Sequence, residues 1–514
     1  MPPTTESTKD KLATWRRVTS PFAIDVRALA LLRIALGLIL FADLALRSTE
    51  LGSMYADGAA YPLERARDLV RVPISLHLLS GAAWFQATLL GVGMLLAGLL
   101  VIGYRTRLVT LLSWYLLISL HHRSYYIQDV GDQLLRLLLL WCVFLPLGRR
   151  YSMDARFRAG TGDPLPGTVR SIASAGLLCQ FATVYFFGAL HKFNGATWRD
   201  GSALGMVLQD DVWIRPLGKL LAQAPALTRL MTHTTVWAEL LLPLLLISPV
   251  ATRLCRRVAI PLLAVFAVGI GSCMRLGIIP WLMTAGLIPF LSGALWDRLD
   301  RWLEARRPIA GPGEQRSAAT ALVDGAGPVP LRGRMAQRVL STLLPGILFV
   351  QLFTANVDSL SFPGRVPAAI RKAEFYLGLD QAWAMYAPDP VVSSFRLNIR
   401  LDLEQGDPVL LGFGGQRPGW PDAGSFPPFE DLWYSYRGRT LLDYIVFPET
   451  ARDLHPFLVW ACRQWTRVHP DRPVRSAGLS KEVRAVRHVG RAPGELHDVL
   501  STEPLVGHIC TDHD

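Results

Sequence analysis

Charge is scarce in this sequence. Only 18% of its 514 residues are Asp, Glu, Lys or Arg, against 51% hydrophobic, and the mean hydropathy is positive. An ordinary soluble enzyme of this length needs more polar surface than that, which excludes the class. Familiar catalytic patterns are missing too: there is no P-loop, HExxH, GxSxG or EF-hand spacing. The six cysteines show no CxxC or CxxxxH spacing, which argues against a zinc centre and a thiol-redox motif, and no metal is expected. Cys142, Cys179, Cys255 and Cys273 fall in or beside apolar runs and read as small core residues. Cys462 and Cys510, the pair in the C-terminal portion, form a disulfide if that portion faces an oxidising compartment. No small-residue cleavage site follows the basic segment 1–25, so it reads as a retained cytoplasmic N-terminus.

What the sequence has instead is apolar runs close to membrane-spanning length. They lie at about Val26–Leu46, Trp84–Tyr104, Leu108–Leu120, Gln133–Leu147, Ile172–Leu190, Thr232–Pro249, Val258–Met274, Gly277–Trp296 and Ala336–Thr354. The expected architecture is an α-helical polytopic membrane bundle of about nine transmembrane helices over 26–355. The Arg-, Pro- and Gly-rich stretch 297–334 reads as a flexible cytoplasmic loop. Residues 356–514 read as a soluble, extracytoplasmic mixed α/β domain. Within it, FRLNIRLDLEQGDPVLLGFG predicts two alternating strands around a turn and Leu454–Arg467 a helix, whereas the tail from Arg472 shows no clear period.

The net charge of +12 sits mostly in short loops between apolar runs, where excess Lys and Arg mark the cytoplasmic side. That places the N-terminus inside and the region after 355 outside a plasma (inner) membrane, with the lipid bilayer as the surrounding partner. No basic stripe interleaved with aromatics is present, so nucleic acid is not an expected partner.

On that topology nearly all the ionisable residues of the spans collect in the outer half. His122 closes the third span, and Asp132 and Arg136 open the fourth one helical turn apart, close enough to pair. His191 and Lys192 end the fifth span, and Glu239 lies about two turns into the sixth. A charge held in a bilayer costs roughly 2.5 kcal/mol or more, so such residues are usually functional or mutually paired. They predict a polar cavity open to the outer face and roofed by the C-terminal domain. Snorkelling is the alternative for those at helix ends, His122 among them.

The stretch Thr183–Asp211 organises the chain: an apolar helix runs into His191-Lys192, a Gly-Ala-Thr turn, then Trp198-Arg199-Asp200-Gly201. A lysine at the mouth of an apolar helix is either a snorkelling anchor or a general base. Trp198 and the phenylalanines around it suit a lipid-soluble quinol, or simply an interfacial belt.

At these residues the chain resembles the HTTM domain, the membrane domain shared with vitamin K-dependent gamma-carboxylases. Gly188, Lys192, Trp198, Asp200, Gly201 and Ala203 match its GxxxK…WrdGxA signature. VRALALLRIALGLILFADL, YADGAAYP, GDQLLRLLLLWCVFLPLG, Glu239 in WAELLLP and LGLDQAWAMYAPDP match further on. The resemblance implies a reduced quinone, a vitamin K-like hydroquinone, as cofactor and an extracytoplasmic polypeptide as substrate. It makes Lys192 the base that deprotonates the hydroquinone. His191 stands where carboxylases tend to have a second lysine, and Ser272-Cys273-Met274 where they carry a histidine-containing motif. A non-catalytic factor for maturation, export or assembly of a secreted or envelope polypeptide is the other expectation.

Overall fold

In the computed structural model the chain is described over residues 18–70, 75–158, 167–209, 213–305, 342–360, 366–390, 393–412, 437–438, 440–441, 454–485 and 499–510. A helix occupies part or all of each of the nine apolar runs. These are α1 (Val26–Thr49), α2 (Ala83–Ile102), α3 (Thr106–Arg123), α4 (Val130–Val143), α5 (Ile172–Phe193), α6 (Pro225–Ile247), α7 (Thr252–Cys273), α8 (Ile279–Ala285), α9 (Gly293–Ala305) and α10 (Leu344–Ser359), with α8 and α9 sharing the eighth run.

Five of them, α1, α2, α5, α6 and α7, are long and apolar enough to cross a membrane, or six if α8 and α9 count as one broken span. The nine expected spans therefore include helices of a different kind. α4 is only 14 residues long, and α3 carries Arg107 and a His-His-Arg terminus. The eighth run breaks after Phe290 and turns through 94° into α9. That bend also corrects the expected flexible loop, since residues 297–305 are helical; 306–334 lie outside the described residues, as do 336–341 of the ninth run and 1–17 of the N-terminal segment.

Local chemistry sets the helix starts. Asp25 accepts from Arg27 N to cap α1, while capping boxes Asp129/Asp132 and Ser171/Ser174 open α4 and α5. Helix α5 is the central column: 83% of its apolar window is buried, against 17% for α7. It packs on α6, α10 and α4. Such close packing needs a small residue at the crossing, and Gly176 on α5 lies directly against the ring of Trp141 on α4.

The C-terminal region is built on a four-stranded antiparallel sheet in the order β4-β3-β5-β6, with β3 at Ser393–Leu403, β4 at Val409–Gly412, β5 at Val474–Ala485 and β6 at Val499–Ile509. A short pair, β1 (Ala23–Asp25) and β2 (Thr168–Arg170), ties the entries of α1 and α5 together. The β3–β4 hairpin matches the alternation read from sequence, and α11 (Leu454–Val468) matches the expected helix. Strands β5 and β6 fall in the tail where no period was legible. Their pairing is interrupted by register shifts at Leu479/Ser480 and Val483/Arg484, which break the two-residue repeat. Helix α11 buries Phe457, Leu458, Trp460 and Trp465 and packs on β5 and β6. Cys462 of α11 is bonded to Cys510 just past β6, with Cα atoms 5.9 Å apart.

Candidate functional site

The last turns of α5 carry Tyr185, Gly188 and Lys192 on one face, at i, i+3 and i+7. Lys192 is enclosed there. Its Nζ donates to Glu239 Oε2 of α6 at 2.6 Å, and the two side chains keep only 6% and 10% of their exposure. The Trp198 ring lies 5.2 Å from Nζ, in cation–π range. Trp198 stands on a short helix, Ala196–Asp200, that ends where Gly201 adopts φ +85°, a left-handed conformation glycine takes without strain. A Cβ at Gly201 would also press on Arg229 and His233.

A strap made of residues 378–390 runs over this end of the bundle. Gln133 Nε2 on α4 donates to Asp380 O at 3.0 Å, and Gln180 Nε2 on α5 to Gln381 Oε1 at 2.8 Å. The Trp383 carbonyl sits 3.5 Å from where a Gly188 Cβ would stand, and Trp198 Nε1 donates to Tyr386 O at 2.8 Å. The Pro388 carbonyl lies against Gly195 so closely that no side chain fits between them. Asp389 ends the strap by capping the short helix, accepting from Ala196 N, Thr197 N and Thr197 Oγ1 at 3.1, 2.7 and 2.5 Å. Partial burial works to raise the Asp389 carboxyl, but these hydrogen bonds outweigh it and hold the group below the usual Asp range.

The expected site residues divide into separate groups. Lys192, Trp198, Gly201 and Glu239 come together. His191 turns away to Ser359 Oγ at 3.1 Å, while Arg199 and Asp200 are exposed, Asp200 accepting from Ser202 N. His122 approaches Phe375 O at 3.4 Å.

The expected Asp132–Arg136 pair does not form. Asp132 binds Arg47 Nη2 of α1 at 2.5 Å, and Arg136 reaches Gln128 and, on the strap, Asp380. Asp132 is already engaged as the N3 partner of the capping box at the start of α4, its other carboxylate oxygen meeting Arg47 of α1. Around Arg47 a buried ionic knot assembles from Asp43, Asp132, Tyr55, Glu50 and Arg437, with Arg437 on Asp43.

Trp198 and the strap lie over Lys192 at this end of the bundle. An apolar cavity opens elsewhere, between α1, α2 and α3, lined by Leu40, His77, Leu90, Ser113 and Leu117 among others. Sequence reading missed Arg47, Tyr185, Trp383, Asp389 and Arg437. The four-residue spacing of Asp43 and Arg47 was a legible pair signal; for Arg437, hundreds of residues away, there was none.

The family model for the HTTM domain matches residues 22–295, more than half of the chain. The chain belongs to the HTTM domain family. No curated protein and no solved structure matches it. In this HTTM protein the matched region runs from α1 into the start of α9 and contains both Lys192 and Glu239, whereas the strap and Arg437 lie beyond it. Two buried donors near the Lys192 centre, Tyr185 Oη and Trp383 Nε1, have no hydrogen-bond partner among the described residues.

Proposed function

We propose that this HTTM protein is a membrane enzyme with the Lys192–Glu239 pair as its acid–base centre, working with a reduced quinone on a peptide or small substrate at the outer face. One observation carries the reading: an ammonium and a carboxylate 2.6 Å apart and almost fully enclosed. That contact orients the Lys192 amine and puts a carboxylate within direct hydrogen-bond reach of Nζ, with no solvent between them. As the base, the Lys192 amine would take the proton of an acidic hydroxyl placed beside it.

A vitamin K-like hydroquinone, when bound, supplies that hydroxyl and the electrons. The residues present fit such a group. Tyr185 Oη and Trp383 Nε1 are buried donors in want of acceptors, and Trp198 packs with Phe193 and Tyr386 as an aromatic wall. Glu239 orients the Lys192 amine, Trp198 covers it and the strap keeps water out.

The proposed orientation puts the N-terminus in the cytoplasm, nine spans over 26–355, and residues 356–514 outside a plasma membrane. It is supported by the opposite placement of Lys192 and of the arginine-bearing loops, including Arg105, Arg107, Arg149, Arg150, Arg253 and Arg257, at the two ends of the helices.

The tight seat of the Pro388 carbonyl against Gly195 favours a second reading. Here the ion pair is a structural seal and the protein a non-catalytic membrane factor for maturation, export or assembly of a secreted or envelope polypeptide. Quinol-dependent oxygen uptake by purified protein in lipid nanodiscs separates the two. The enzymatic reading expects uptake that is abolished in Lys192→Ala and retained in Lys219→Ala. Equal uptake by both variants excludes Lys192 as the base, and no uptake by the native protein leaves the second reading standing.

A further inference from the structure

Helix α9 leaves the bundle at 94° to the segment before it, and its three faces do different things. Trp296 is buried against the bundle core. Asp297 and Asp300, one turn apart, both bind Arg27 at the start of α1, at 2.8 and 2.7 Å, and Asp300 also accepts from Tyr151 Oη at 3.2 Å. Leu295, Leu299 and Trp302, at i, i+4 and i+7, form a third face that is 46%, 41% and 50% exposed. Arg298 and Arg301 are exposed on the same helix, and Phe157, flanked by the exposed Arg156 and Arg158, lies on the short helix Met153–Arg158 that follows Tyr151.

We propose that α9 is an in-plane anchor that seats its Leu295–Leu299–Trp302 face in an anionic lipid leaflet at the amino-terminal end of the bundle. Two observations commit the face to lipid. It is continuous with a membrane domain whose long helices expose leucine and valine outward, and it is collared by arginines suited to anionic headgroups. The ninety-degree break supplies the direction: a helix perpendicular to a span lies along the interface rather than through it. Arg27 then fixes the depth of α9 relative to α1, because its guanidinium is shared by Asp25, Asp297 and Asp300. This inference is independent of any chemistry at Lys192.

The test is a fluorophore sensitive to its surroundings on Leu299→Cys, in a background with Cys255→Ala and Cys273→Ala. The protein is reconstituted in phosphatidylcholine vesicles with and without phosphatidylglycerol. A nitroxide carried on the lipid near the headgroup should quench the probe about two-fold, as expected for a face seated roughly 5–10 Å into the interface, and aqueous iodide should barely reach it. The same probe on Arg301→Cys should show the reverse order. Phosphatidylglycerol should strengthen the lipid quenching, and Arg298→Gln with Arg301→Gln should remove that increment. Probes at 299 and 301 equally open to iodide would overturn the proposal. So would shielding from both quenchers in a protein of dimeric mass, which would assign the face to a second copy. Trp302→Cys serves as the second site should the 299 variant fail to fold.

Discussion

Lys192 and Glu239 shield each other, and each is costly without the other. Lys192→Ala strands a buried carboxylate and should lower unfolding stability by about 3–5 kcal/mol, whereas Lys192→Met combined with Glu239→Leu should be near neutral. Denaturant titration in detergent reads both, and a single variant as stable as the native protein would show that the pair is not enclosed in solution. Asp389 makes a different prediction. Its folded carboxyl titrates below the ordinary Asp value, so its contribution is complete above about pH 4 and is lost as pH falls through that depressed value. The protection factors of the strap amides, after allowing for the intrinsic slowing of exchange in acid, should therefore fall as pH drops from about 4 toward 3, and Asp389→Asn should flatten the step. Asp389→Ala should cost about 1 kcal/mol, the worth of a helix cap.

Among the elements, the strap and the ionic knot determine how the helices meet. Arg47 lies between Asp43 and Asp132 with no exposed side-chain surface, so Arg47→Ala leaves two carboxylates buried without their shared partner. The expected loss is at least the roughly 3–5 kcal/mol of a broken buried pair, read as a fall in the thermal midpoint in detergent. The chain announced some of this. The four-residue step from Asp43 to Arg47, the capping Ser171 and Asp129, and the apolar length of α5 are all local patterns. Asp132 and Arg136 show the limit of such patterns, since a spacing that permits a pair does not choose between partners on one helix and partners across the bundle. The strap was recognisable as the motif LGLDQAWAMYAPDP, yet nothing in it said that Trp383 and Tyr386 would lie over Lys192.

At the scale of the whole molecule, the C-terminal region is bound to the membrane bundle through the strap over the Lys192 end and through Arg437 on Asp43. Deleting 357–514 therefore removes the cover of the site as well as the sheet, and should abolish the proposed quinol reaction together with any client binding. Truncation after residue 390 keeps the strap but loses Arg437, and should give a folded, less stable protein; oxygen uptake and thermal midpoint report the two effects separately. Reduction of Cys462–Cys510, which are 48 residues apart, should destabilise the sheet by about 4 kcal/mol on chain-entropy grounds, read as earlier proteolysis of α11.

What the sequence determined by itself is the class: an apolar, arginine-looped helical membrane protein with a Lys192–Trp198–Gly201 turn and a β-containing tail. These follow from composition and short-range periodicity, which act within a few residues. Only the tertiary structure decided that Lys192 meets Glu239, that Asp132 takes Arg47 and that the strap closes the site. Those pairings join residues 47 to 247 positions apart, and a buried charge takes whichever partner the packing of the bundle brings within reach.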